Sequence, residues 1–140
     1  MSGETSLARL LAGMRPVLQP GVFVFATIAD PARRPDGLDP LMVFREPEGL
    51  TLILEHDEAR RAGLAATFPC RLITLEVHSS LDAVGFLAAI TTRLARHGIG
   101  VNPVAAYHHD HLFVPAERAV DALEALKALA EESASAFGMK

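Results

Sequence analysis

"RLITLEVHSSLDAVGFLAAI", residues 71–90, is where one hydrophobic period gives way to another. Arg71, Ile73, Leu75 and Val77 alternate with Leu72, Thr74, Glu76 and His78, which predicts a strand with its more apolar face inward. Ser79 precedes Asp82 by three residues, a spacing like that of a capping box. A serine oxygen in that position takes a backbone N–H that the first turn of a helix leaves unpaired. Ala83, Leu87, Ile90 and Leu94 then follow at helical spacing, with Asp82, Arg93 and Arg96 elsewhere on the wheel. Gly98 closes the predicted helix as its C-terminal cap.

Downstream, "IGVNPVAAY" (99–107) and "HLFVP" (111–115) read as two strands. A last helix is predicted from Ala116 to Glu132, burying Val120, Leu123, Leu126 and Ala130, and Ser133 to Lys140 reads as a frayed tail. Upstream, Ser6 to Met14 carries Leu7, Leu10, Leu11 and Met14 at helical spacing. "VFVFATI" (22–28) is a buried strand, and "ADPARRPDGLDP" (29–40), with three prolines and a glycine, is a loop. "LMVFREPEGLTLIL" (41–54) reads as two strands about a turn at Glu46-Pro47-Glu48-Gly49. Asp57 to Leu64 is a short helix closed by Gly63 or by Pro69. Strand, helix, strand, strand, helix in the second half, with similar elements in the first, points to an α+β sandwich of the split βαβ type. The halves share no repeat at the level of sequence.

With 140 residues, half of them hydrophobic, the chain can bury one core or two small lobes. Its formal net charge of −4 and its isolated basic pairs, Arg33-Arg34 and Arg60-Arg61, argue against nucleic acid as a partner. Cys70 is the single cysteine, which fits a reducing compartment and the packing of a small buried hydrophobe. The first residues lack a signal-peptide pattern, and no apolar run is long enough to span a membrane, so a cytoplasmic location is expected.

Clusters able to do chemistry are few. "AYHHDHLFVP" (106–115) packs three of the six histidines around Asp110. Two apolar strands flank the cluster, so His108-His109-Asp110 reads as a turn. A third ligand at a recognisable spacing is missing, and no metal is expected. Gly-x-Ser-x-Gly and Gly-x-x-x-x-Gly-Lys do not occur, and Gly98-x-Gly100 follows a helix instead of preceding one. Glu46 and Glu48 read as solvated turn carboxylates, and no catalytic residue or cofactor is assigned. The strand-to-helix turn differs, because the first turn of a helix offers free backbone N–H groups and the positive end of a dipole to a carboxylate. Gly85 there serves either close approach of a ligand or backbone packing.

From these residues the chain resembles the ACT family of small-molecule-binding regulatory domains, built as βαββαβ units. Gly85-Phe86-Leu87 is similar to the family's Gly-x-Leu fingerprint at the first strand-to-helix turn, and Gly98-Ile99-Gly100-Val101-Asn102-Pro103-Val104 to its Gly-Ile-Asn-Ile-like second strand. "HDHLFVPAERAVDALEAL" resembles the hairpin and helix of the small ACT branch related to aspartokinase regulatory domains. "VFREPEGLTLIL", "LEVHSSLDAVGFLAAI" and "YHHDHLFVP", in that order, look like bacterial stand-alone proteins of two ACT-like units. The likeness spans residues 7 to 130.

The resemblance implies two ferredoxin-like units with antiparallel sheets and helices on one face, over residues 1–70 and 71–140. It also implies a regulatory, non-catalytic homodimer that binds an amino acid at an interface between units. Carried over, the loop giving backbone N–H groups to the ligand is Ser79, Ser80, Leu81, Asp82, Ala83, Val84 and Gly85, and the orienting amide from a neighbouring unit is Asn102. Asp82 is open to two roles, meeting a ligand ammonium or capping the helix. Asn102 could equally bond its own hairpin backbone. Val84-Gly85 stands where the family usually has Pro-Gly, which puts the loop's shape in question. Two rival expectations remain, a protein–protein module with a vestigial pocket and a metal-dependent enzyme using the His108–His111 hairpin.

Overall fold

The computed structural model describes residues 6–136. Helix α1 (Leu7–Gly13) is capped by Ser6, whose side chain accepts from the Arg9 amide. Strands β1 (Arg15–Leu18), β2 (Phe23–Ile28), β3 (Met42–Glu46) and β4 (Gly49–Glu55) follow, with a 3-10 turn at Pro31–Arg33 between β2 and β3. Helix α2 (His56–Arg61), strand β5 (Ala65–Glu76), helix α3 (Phe86–Arg96), strands β6 (Asn102–Ala105) and β7 (Asp110–Pro115) and helix α4 (Ala119–Ala136) complete the chain.

The chain forms two compact units, Pro20–Cys70 and a second made of the residues up to Gln19 together with those from Arg71 onward. In the first, the strand order is β3-β4-β2-β5, with antiparallel registers such as Ala26 opposite Leu52 and Phe44 opposite Thr51. Val24, Ala26 and Ile28 share one face with Leu50, Leu52 and Leu54, and these bury against Ala59 of α2 with Leu38 and Leu64 packed around them. Such a face stabilises by roughly 1.5–3 kcal/mol per fully buried aliphatic side chain.

In the second unit the order is β6-β7-β5, with β1 pairing antiparallel along β5 from Arg15 opposite Glu76 to Leu18 opposite Ile73. Ile73 and Leu75 of β5 and Leu112 and Val114 of β7 face the helices. There they meet Leu10 of α1, Phe86, Ile90 and Leu94 of α3, and Ala122 and Leu126 of α4. Antiparallel strands with helices packed on one face are the α+β sandwich expected from the element order.

Five local expectations are corrected. Strand β5 begins at Ala65, six residues before the alternating run, because Phe68 adopts a positive φ of 62° and carries Pro69 through an irregular register with β2. Helix α3 begins at Phe86 with Gly85 as its N-cap, so Ser79–Asp82 is no capping box. Asp110 opens β7, and the hairpin reverses over the preceding residues, where the Ala106 amide donates to the His109 carbonyl. In α4 the buried stripe is Ala119, Ala122, Ala125, Leu126 and Leu129, while Val120 is exposed. Alanines allow close packing against neighbouring helices, and that turns the helix away from the stripe its larger side chains suggested. The predicted tail is helical to Ala136, and residues 137–140 lie outside the described residues.

Candidate functional site

Between the end of β5 and α3 the chain makes a compact loop. The Ser79 amide donates to the Val77 carbonyl, the Ser80 Oγ accepts from the Asp82 amide at 3.1 Å, and the Ala83 amide donates to the Ser80 carbonyl at 3.0 Å. Gly85 then takes φ +93°, a left-handed conformation that side chains with a Cβ resist, and the helix starts from there. Its ladder begins with the Ala89 amide on the Gly85 carbonyl at 3.0 Å. The amides of Phe86, Leu87 and Ala88 therefore have no intrahelical acceptor.

These elements enclose a pocket of about 140 Å³. Ser79, Ser80, Leu81 and Ala83 form one wall, Gly85 to Ala88 a second, and Ala105 and Asp110 of the hairpin a third. The volume is close to that of a cavity, about 150 Å³, that holds a benzene-sized molecule. Of the residues predicted for the site, Ser79, Ser80, Leu81, Ala83 and Gly85 thus meet around one space. Asp82 and Val84 are exposed and do not line it. Asn102 is exposed at the start of β6, and strand alternation puts it on the opposite face from Ala105.

Sequence reasoning missed Asp110 as a member of this site. Its carboxylate is 7% exposed, and its Oδ2 accepts from the Ser79 hydroxyl at 3.2 Å. Burial pushes its pKa up, opposed by that hydrogen bond and by His111 and His109. A signal was present in the alternation of β7: Asp110 shares its face with Leu112 and Val114, which are buried among the helices.

Two histidines, His109 and His111, lie beside this carboxylate. The His108 ring is 6.0 Å from that of His78 and 4.9 Å from Tyr107, and the His109 and His111 rings are 6.4 Å apart. His109 Nδ1 sits 3.4 Å from the Val77 carbonyl, and His111 Nδ1 is 3.1 Å from the Thr74 hydroxyl, which accepts from Gln19. That leaves the threonine proton free for Nδ1, an arrangement suited to neutral imidazole. Burial and the neighbouring His109 lower the His111 pKa accordingly, with Asp110 opposing. Among the described residues no group of three His, Cys, Asp or Glu side chains is placed to hold a metal ion. Cys70 is fully buried, its thiol donates to the Phe23 carbonyl at 3.3 Å, and burial pushes its pKa up to about 11. No helix among the described residues is long and apolar enough to cross a membrane.

Two antiparallel sandwich units with this strand order, one of them holding a small pocket at the start of α3, define an α+β class of tandem ferredoxin-like folds. Comparison with known families gives it a name. ACT-domain models match residues 2–71 and, in tandem, residues 67–128, and the chain belongs to the ACT-domain family. A Vibrio cholerae protein of unknown function, described as a possible transport protein, is 48% identical over 90% of this chain and 97% of its own, with a TM-score of 0.81. The regulatory subunit of aspartate kinase from Thermus flavus shares the fold at 14% identity, covering 92% of this chain and 99% of that one, with a TM-score of 0.62. Its ligand-free counterpart from Thermus thermophilus has 14% identity, coverage of 85% and 97%, and a TM-score of 0.65. No curated protein gives a significant match.

Proposed function

We propose that this ACT protein is a non-catalytic, cytoplasmic, homodimeric sensor of an amino acid, with its site in the pocket between Ser79 and Ala88. The observation that carries the reading is the first turn of α3, whose amides lack intrahelical acceptors and whose residues line a pocket of about 140 Å³. Such amides and the helix dipole favour a carboxylate. Ser79, Ser80, Leu81, Asp82, Ala83, Val84 and Gly85 form the binding loop, with Asp82 and Val84 at its outer rim. Asn102, exposed on the edge strand β6, orients a ligand held by a neighbouring unit. A dimer is supported by apolar side chains left outside on and beside β3, an edge strand of the first unit: Phe44 is 62% exposed and Leu41 52%.

A thermal-shift screen against the twenty protein amino acids tests the reading. A ligand at about 100 times its dissociation constant stabilises by about 2.7 kcal/mol, several degrees for a chain of this size. One selective shift is the expected outcome, and no shift with any of them overturns it. Gly85→Val should abolish the shift. A Cβ at Gly85 meets only Leu7 Cδ2 at an ordinary 3.5 Å, so the loss would come from the left-handed backbone that valine rejects.

A further inference from the structure

The pocket's described walls carry one charged side chain, Asp110, and its burial is unusual for a carboxylate. It is 7% exposed, yet its side chain makes a single hydrogen bond among the described residues, from the Ser79 hydroxyl to Oδ2. The titratable neighbours that act on it are His109 and His111. His111 is biased toward its neutral form by its own burial. No lysine or arginine forms an ion pair with Asp110 among the described residues. A buried carboxylate without a cation costs stability and persists where something else supplies the charge.

The placement says what that is. Asp110 shares the helix-facing side of β7 with Leu112 and Val114, so it stands across the pocket from the first turn of α3. One wall therefore offers amide donors and the opposite wall a carboxylate, around a space of about 140 Å³, room for roughly five to eight non-hydrogen atoms by comparison with a benzene-sized cavity of about 150 Å³. A ligand with only a carboxylate would set its charge against Asp110. A ligand with an ammonium one or two bonds from its carboxylate satisfies both walls.

We infer that Asp110 receives the ammonium of the ligand, with Ser79 holding the Asp110 carboxylate in position, so that the pocket selects small zwitterions over simple carboxylic acids. This rests on the amino-acid reading above and assigns the ammonium to a residue of the hairpin instead of to Asp82.

The test compares the amino acid giving the largest thermal shift with the des-amino carboxylic acid of the same side chain, on the wild-type chain and on Asp110→Asn, by calorimetric titration. Expected is a wild-type preference for the amino acid, weakened about tenfold or more in Asp110→Asn, as the loss of a charge-assisted hydrogen bond implies. The des-amino acid should bind the variant at least as well as the wild type, because the repulsion is gone. Equal affinity of wild type and variant for the amino acid would overturn the role of Asp110 and leave the helix site standing. Equal wild-type affinity for the two ligands would overturn zwitterion selection alone. Binding of neither the twenty amino acids nor their des-amino acids would overturn both readings. Should Asp110→Asn fail to fold, the wild-type comparison decides.

Discussion

The two units use the same strand order, β3-β4-β2-β5 in one and β6-β7-β5-β1 in the other, yet their pockets differ: one opens at the start of the 11-residue α3, the other beside the six-residue α2. They part at the crossover after the first strand. From Ile28 to Met42 the chain carries a 3-10 turn and the prolines Pro31, Pro35 and Pro40, which deny a longer helix its amides. From Glu76 to Asn102 it carries the 11-residue α3. They differ again at the first residue after each hairpin turn. In the first unit this is Gly49, where a Cβ would lie 2.3 Å from the Ile28 carbonyl oxygen, so backbone fills the space. In the second it is Asp110, whose side chain borders the pocket. A cleft of about 230 Å³ does exist in the first unit beside α2, but its ionisable members, His56 and Arg60, are exposed. Within one fold, a longer crossover helix and a single buried carboxylate set the two pockets apart.

The largest effects should come from the cores. Leu52→Ala in the first unit and Leu126→Ala in the second each remove a fully buried leucine and should cost about 2–5 kcal/mol by denaturant unfolding. Hydrogen exchange should place each loss among that residue's own core neighbours; equal loss in both units would break the comparison. Gly49→Ala comes next, at about 1–3 kcal/mol, because the new methyl meets backbone that cannot step aside. A melt unchanged from wild type would mean the two hairpin ends are not so different.

A smaller effect separates the units by pH. His111 has its folded pKa below the ordinary 6.5, so below that value the unfolded chain binds more protons than the native one. Stability should therefore fall as pH drops through the ordinary 6.5 toward the lower folded value, and His111→Asn should flatten that slope. A slope unchanged in the variant would remove His111 as its source. Asp110 acts in the opposite sense: its raised pKa makes stability fall as pH rises from the ordinary 3.8 through the folded value. Least of all is Glu132→Gln, which breaks the bidentate pair with Arg93 between α3 and α4. Glu132 is solvent-exposed, so the change in melting temperature should be slight and vanish at high salt.

Much of this architecture was legible in the sequence. The β-branched run at 22–28, the Pro-Glu turn between β3 and β4, and Leu87, Ile90 and Leu94 on one face of α3 all follow from period and turn chemistry. The start of α3 was not, because serine and aspartate at capping-box spacing look the same when they form a loop whose helix begins at a left-handed glycine. Strand β5 hid its first half behind Pro69, ordinarily a breaker, and behind the positive φ of Phe68. The loop from Ser79 to Gly85 was found as a segment, but which of its side chains line the pocket depends on the turn at Ser80. Asp110 was read as a turn residue from the apolar strands on either side of the cluster, when its register with Leu112 and Val114 was the better guide.

The pairing of β1 with β5 fixes an order of events during synthesis. Residues 20–70 contain every strand their unit needs, so that unit can close as soon as its last segment leaves the ribosome. Arg15–Leu18, made earlier, must wait for Ile73–Glu76, across a separation that reaches 61 residues between Arg15 and Glu76. The strand that borders the second unit is thus among the first to be made, and its partner segment follows only after the whole of the first unit. Shortening the amino terminus into Arg15–Leu18 would strike the second unit and spare the strands of the unit that directly follows it.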